Sequence, residues 1–330
     1  MAPPRLCAVS IDLDEVHHYF AIHGLAHDGG RAQRSGELCP QTPASSLPAA
    51  ALHAGYDVAL PRLVELAAAR DLPLTLFAVG EDLARPANAA ALASLTARGH
   101  AVENHSQHHR YDLTRLSLEE IAREVEEGAA AITRATGRRP QGFRAPGYTV
   151  SDALFDVLDE AGVSFDSSVF PCPPYYFAKA AAMAGMRLRG RTSRSILDTP
   201  LVLTAPRRPY RPGQRWHRRG TRRFVELPVQ VTPGLGLPFF GTSIGLGGPA
   251  VARFLARRCV GEPLVNIELH PMDFLDASDG LTGLLGHQPE LRVPVARRLD
   301  ALAAALDVLA GAGHSFVLLA EAAEATRAVT

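Results

Sequence analysis

No stretch of this 330-residue chain is apolar for long enough to span a bilayer, and its 34 basic and 34 acidic side chains cancel. A zero net charge argues for no particular partner. Cysteine is scarce: Cys7, Cys39, Cys172 and Cys259 are scattered without metal-ligand spacing, so they read as reduced, mostly structural thiols. Aromatics make up only 6% of the chain and no nucleic-acid-binding motif appears, which argues against a nucleic-acid partner. Met1-Ala2-Pro3-Pro4-Arg5 leads straight into an apolar run with no signal peptide, giving the expectation of a cytoplasmic protein.

What is present is a 47% hydrophobic composition, enough to bury a large core in a single domain. The run Leu6 to Ile11 reads as a strand. Leu60 to Arg70 has helical spacing and leads into a strand at Leu74 to Val79, followed by a helix over Asn88 to Arg98 and a strand at Ala101 to Glu103. Ser117-Leu118-Glu119-Glu120 carries a capping-box signature for a helix running to Thr136, with Gly137 as its stop. Ser151 to Ala161 and Pro294 to Ala312 read as further helices, the latter before a closing strand at Ser315 to Leu319. Strand followed by helix, repeated, predicts an α/β fold with a mostly parallel sheet closed or nearly closed into a barrel.

Side chains capable of chemistry sit where such strands end. Asp12 and Asp14 follow the first strand, where α/β folds keep their functional groups; a plain turn cap explains one such aspartate, and their sharing one site is expected to require a bend. In Glu103-Asn104-His105-Ser106-Gln107-His108-His109, His105 and His109 would converge on a divalent cation if the segment is helical, with His108 turned away. A solvated helix face is the plainer alternative. Gly142-Phe143-Arg144-Ala145-Pro146-Gly147-Tyr148 combines a permanent cation with a turn that could aim a backbone N–H at an oxyanion. Strand-like runs ending at Asp166 and His270 complete the set, each also readable as a capped strand end. His17, His18 and His23 could line a site mouth or belong to a plain loop.

Taken in order, these segments resemble the polysaccharide deacetylase family, also called the NodB-homology or carbohydrate esterase family 4 domain. The resemblance implies a distorted (β/α) barrel with about seven strands. It implies Asp12 as catalytic base, Asp14, His105 and His109 as metal ligands, and Arg144 as the residue orienting the base. Gly147 N–H becomes an oxyanion donor, and Asp166 the support of the general acid His270. The spaced Asp12-Leu13-Asp14-Glu15 departs from the usual adjacent aspartates and looks like the peptidoglycan-deacetylase-like and cyclic-amide-hydrolase branches, some of which work without metal. The fourth motif's tryptophan has no clear counterpart; Val169 and Phe170 lie nearby.

Such a site would ionise a metal-bound water near neutral pH, with zinc as the default metal and cobalt, nickel and manganese open. The expected reaction is hydrolysis of an N-acetyl or N-formyl group from an amino sugar or glycolipid. The alternatives are hydrolysis of a small linear or cyclic amide, or a lapsed barrel that only binds ligand. Residues 171–261 break the strand-helix rhythm and read as an insert. Within them Arg187 to Arg223 holds 12 arginines and no lysine, offset only by Asp198, and an apolar glycine-rich stretch follows at Leu235 to Gly248. A solvated arginine face beside a buried loop is the plain expectation; peripheral contact with anionic lipid or a lipid-linked sugar is the sharper one.

Overall fold

A computed structural model describes residues 5–22, 49–188, 190, 193 and 195–328. His23, Cys39, Arg189, Arg191 and Arg194 lie outside the described residues.

The central strand, β1 (Leu6–Leu13), is buried on both faces, which is why its sequence is a near-continuous apolar run rather than an alternation. It pairs in parallel with β2 (Leu74–Ala78) on one side and β7 (Leu264–Leu269) on the other. From β2 the sheet continues through β3 (Ala101–Asn104), β4 (Gly142–Phe143), β5 (Phe165–Asp166) and β6 (Val225–Glu226), all parallel. β8 (Ser315–Phe316) pairs with the start of β1. The ends of the sheet approach each other beyond β6: Gln230 N–H donates to Asn266 O at 3.0 Å, and Asn266 Nδ2 donates to Leu227 O and Pro228 O at 3.0 and 3.2 Å. The result is the distorted (β/α) barrel expected from the sequence.

Helices α1 (Val16–Ile22), α2 (Ala49–Leu52), α3 (Leu60–Ala68), α4 (Pro86–Ala97), α5 (Leu118–Thr136) and α6 (Asp152–Glu160) lie between the early strands. α7 (Pro173–Leu188), α8 (Gly241–Cys259), α9 (Val295–Gly311) and α10 (Leu319–Arg327) follow. α5 begins with the predicted capping box between Ser117 and Glu120 and ends at Gly137 in the left-handed region. Its buried face, including Ile121, Val125 and Ile132, supplies the apolar area that holds it on the sheet, each fully buried side chain worth roughly 1.5–3 kcal/mol. Gly128 on that face has a further use. A Cβ there would lie 2.5 Å from Asn104 Oδ1 and 2.9 Å from the Ser106 carbonyl carbon, so the glycine lets α5 press against the segment that carries the histidines.

Residues 171–261 are more integrated than an insert. They contribute β6 to the sheet and α8 to the helix layer, where α8 packs on α9. Half of the glycine-rich stretch expected as a loop is the start of α8, which is kinked where Gly248 takes φ 69° ahead of Pro249. The arginines find acids on other elements: Arg208 pairs with Glu262, Arg215 with Asp152 and Arg222 with Asp156. The local excess of charge seen in the sequence is thus partly neutralised across the fold. No helix among the described residues is long and apolar enough to cross a membrane.

Candidate active site

Parallel strands deliver their C-terminal ends to one rim of the barrel, and the predicted groups meet there. Asp12 closes β1 and Asp14 follows it. No bend has to be assumed for them to share a site, because residues two apart on a strand share a face; the backbone also tightens, with Asp14 N–H donating to Asp12 O at 3.0 Å.

His105 and His109 are not on a helix. They leave β3 in a loop in which Ser106 (φ 68°) and His109 (φ 50°) adopt left-handed backbone, and His109 N–H donates to Ser106 Oγ at 3.1 Å. This turn does what a helical i, i+4 spacing would have done. His105 Nε2 and His109 Nε2 lie 3.5 and 3.2 Å from Asp14 Oδ1, and all three side chains are at most 4% exposed. Asp14 Oδ1 has no hydrogen-bond partner among the described residues. An orphaned buried carboxylate oxygen facing two imidazole nitrogens suits a divalent cation well. His105 Nδ1 lies 2.8 Å from Arg144 O; a carbonyl only accepts, so Nδ1 carries the proton and Nε2 presents its lone pair to the site. Burial keeps both rings neutral, holding His105 below its ordinary pKa and His109 down at about 3. Burial likewise raises Asp14. His108 faces elsewhere, its Nδ1 2.8 Å from Glu124, as the sequence suggested though not for the helical reason.

Arg144 is completely buried. Its NH1 donates to Asp12 Oδ1 at 2.7 Å, its NH2 to Ser10 Oγ and Ser167 Oγ, its Nε to Ser167 O, and the guanidinium stacks 4.1 Å from the Phe77 ring centroid. Burial alone would raise the Asp12 pKa; the charge of Arg144, with that of His270 beside it, outweighs burial and holds Asp12 below its ordinary value. Asp12 is therefore an oriented carboxylate, with Oδ2 4.0 Å from His270 Nε2.

The expectation for Asp166 fails. Its oxygens accept from Ser168 Oγ at 2.8 Å and Ser168 N–H at 3.1 Å, and its cross-strand neighbour is Glu226, which interacts with it strongly. The carboxylate that meets His270 is Glu268, with Oε1 2.8 Å from Nδ1. Burial works against a charged His270, but Glu268, Asp12 and Asp14 overcome it and push its pKa well above the ordinary value. The sequence signal for Glu268 was its spacing of two from His270 in the extended run at the end of β7, which puts both on one face.

Gly147 sits in the site loop at φ 65°, where a Cβ would lie 2.9 Å from the Tyr111 ring. Lys179 Nζ donates to its carbonyl at 3.2 Å, and Tyr111 packs edge-on to His109. Where the family's tryptophan is missing, Phe170 joins Tyr148, Tyr175 and Phe240 in an aromatic cluster, with Tyr148 against His270. None of Tyr111, Tyr175, Lys179 or Phe240 was singled out from the sequence.

The profile of the polysaccharide deacetylase family matches residues 52–165. The match contains His105, His109, Arg144 and Gly147, whereas Asp12, Asp14, Glu268 and His270 lie outside it and reach the matched segment through the pairing of β1 with β2 and β7. No curated protein sequence matches. Among solved structures, the chain is similar to one assigned as a polysaccharide deacetylase from Mycobacterium smegmatis, with 20% identity, TM-score 0.57, and coverage of 100% of this chain and 93% of that one. It is also similar to Puue allantoinase (17%, TM-score 0.57, 98% and 90%) and to a protein assigned as a polysaccharide deacetylase from Pseudomonas aeruginosa PAO1 (16%, TM-score 0.58, 98% and 91%). At these identities the likeness is one of fold.

Proposed function

We propose that the chain is a divalent-metal-dependent amidohydrolase that removes an N-acetyl or N-formyl group from an amino sugar or glycolipid. The reading rests on Asp12, a carboxylate locked on one oxygen by buried Arg144 and facing His270 with the other, beside the Asp14, His105 and His109 donor set. Asp14, His105 and His109 would hold a divalent ion, zinc by default, which when bound would supply Lewis acidity toward a water and a carbonyl. Asp12 Oδ2 takes the proton of the attacking water. Gly147 N–H donates to the developing oxyanion, a type of contact worth about 3–4 kcal/mol in known cases. His270, kept charged by Glu268, gives its proton from Nε2 to the departing nitrogen.

The test is metal content of the protein purified without chelators, together with release of acetate and formate from amino sugars and small amides, with and without chelator. Chelator-sensitive release at near-stoichiometric metal is expected. Metal-free protein that stays inactive after zinc, cobalt or nickel is added would overturn the reading.

One observation favours a second substrate class. Asp12, Asp14, His105 and His109 are each at most 4% exposed, an enclosure that suits a small linear or cyclic amide better than a polymer. Turnover of small amides alone would select it. Contact of the arginine-rich segment with anionic lipid or a lipid-linked sugar is part of the first reading; vesicle binding unchanged by replacing Arg218, Arg219, Arg222 and Arg223 with Ser would remove it.

A further inference from the structure

Beside the site lies a cavity of about 700 Å³ whose lining includes Glu15, His17, Glu81, Asp82 and Gln107. It borders the candidate metal centre through a row of imidazoles. Ring centroids step 3.9 Å from His17 to His18, 4.6 Å from His18 to His109 and 4.9 Å from His109 to His105. Side-chain exposure falls along the row, from 30% at His17 through 7% at His18 to 1% at His109 and His105. Neither His17 nor His18 is needed by the proposed hydrolysis.

Donor atoms of His17, His18 and Glu81 lie within 4.8 Å of one another. Behind them is Asp82, whose side chain is 2% exposed; its Oδ1 lies 3.7 Å from His17 Nε2 and its Oδ2 3.2 Å from His18 Nε2. Consecutive residues of a helix normally point about 100° apart, yet both rings turn the same nitrogen toward one carboxylate. Glu15 adds a second buried carboxylate, 1% exposed; its Oε1 meets His53 Nδ1 at 3.2 Å, while Oε2 lacks a hydrogen-bond partner among the described residues. The nearby Arg85 is engaged by Asp57 at 2.7 and 2.8 Å, and Arg134 also borders the cavity. Buried carboxylates need a counter-charge, and bound cations provide one.

We infer that His17, His18 and Glu81, backed by Asp82, form a second divalent-cation site, separate from the Asp14, His105 and His109 set and reached from the cavity. Two imidazoles and a carboxylate favour zinc, cobalt or nickel over magnesium or calcium.

The experiment is titration of chelator-treated full-length protein with Co2+, followed by equilibrium dialysis and visible absorbance, in excess Mg2+. Wild type is expected to take up two equivalents. Glu81→Gln and His17→Ala should each take up one while keeping the absorbance of the Asp14 site, and Asp14→Asn should also take up one, with a different spectrum. Uptake by wild type of a single equivalent that Asp14→Asn abolishes, or two equivalents by both Glu81→Gln and His17→Ala, would overturn the inference. Loss of the Asp14 site alone would sink the hydrolase reading and leave this one standing.

Discussion

Glu268 Oε1 sits 2.8 Å from His270 Nδ1, and this pair, Glu268 on β7 and His270 just past its end, sets a buried carboxylate against the imidazole that faces Asp12. The neighbouring carboxylates raise the proton affinity of His270, so the acid form persists to higher pH than an ordinary histidine would allow. If His270 is the general acid, Glu268→Gln should move the alkaline limb of kcat/KM against pH to lower pH by a unit or more and reduce the maximal rate about 100-fold. An unmoved limb would remove Glu268 from the acid's support.

Asp12 and His105 can be separated by what each loses. Asp12→Asn keeps the Arg144 contact on its carbonyl oxygen but cannot take a proton, so turnover should fall at least about 1000-fold with metal content intact. His105→Ala removes a donor and should lose both. Metal analysis beside product release distinguishes them, and an active Asp12→Asn enzyme would overturn the base assignment.

Ser106 anchors His109 by accepting its backbone N–H at 3.1 Å within a loop that has two left-handed residues. Ser106→Ala frees that turn without touching a donor atom. Metal affinity is expected to fall about 10-fold, in line with other supporting contacts behind metal ligands, while the circular dichroism of the fold stays unchanged. Competition with a chromophoric chelator measures it; unchanged affinity would assign the turn to the rest of the loop.

Glu103, 3% exposed, is pushed up to about 7 by burial, an effect softened by the Gly142 and Gln141 N–H groups it accepts. Its folded pKa lies above the unfolded value of about 4.3, so the folded state binds more protons between those values. Its contribution is present at low pH and is lost as pH rises from about 4 to about 7, on the order of 3 kcal/mol in all. Glu103→Gln should lessen the fall in urea midpoint between pH 5 and pH 8; an identical fall in both proteins would contradict this.

Much of the barrel was legible because its signals are local. The capping box at Ser117, the stop at Gly137 and the two-sided burial of β1 each depend on a few adjacent residues. The convergence of Asp12, Asp14, His105, His109, Arg144 and His270 was also legible, since parallel strands collect their ends on one rim. Partner choice was not. Asp166 could be matched with His270 only by family resemblance, whereas the pairing of β5 with β6 turns it toward Glu226 and leaves His270 to Glu268. Nor could periodicity foresee the left-handed residues Ser106 and His109, which replace the helix that the histidine spacing suggested. The row from His17 to His105 joins α1 to the loop after β3, and such a juxtaposition exists only once the chain is folded.

The approach of β6 to β7 through Asn266 links the candidate site to breathing of the chain. The Asn266 amide that meets Leu227 O and Pro228 O also donates to Ser167 Oγ, the same oxygen that accepts from Arg144. A fluctuation that parts this seam would therefore slacken the guanidinium clamp on Asp12 in the same event. In hydrogen exchange, the amide of Gln230, which donates to Asn266 O, should report how often that clamp is released.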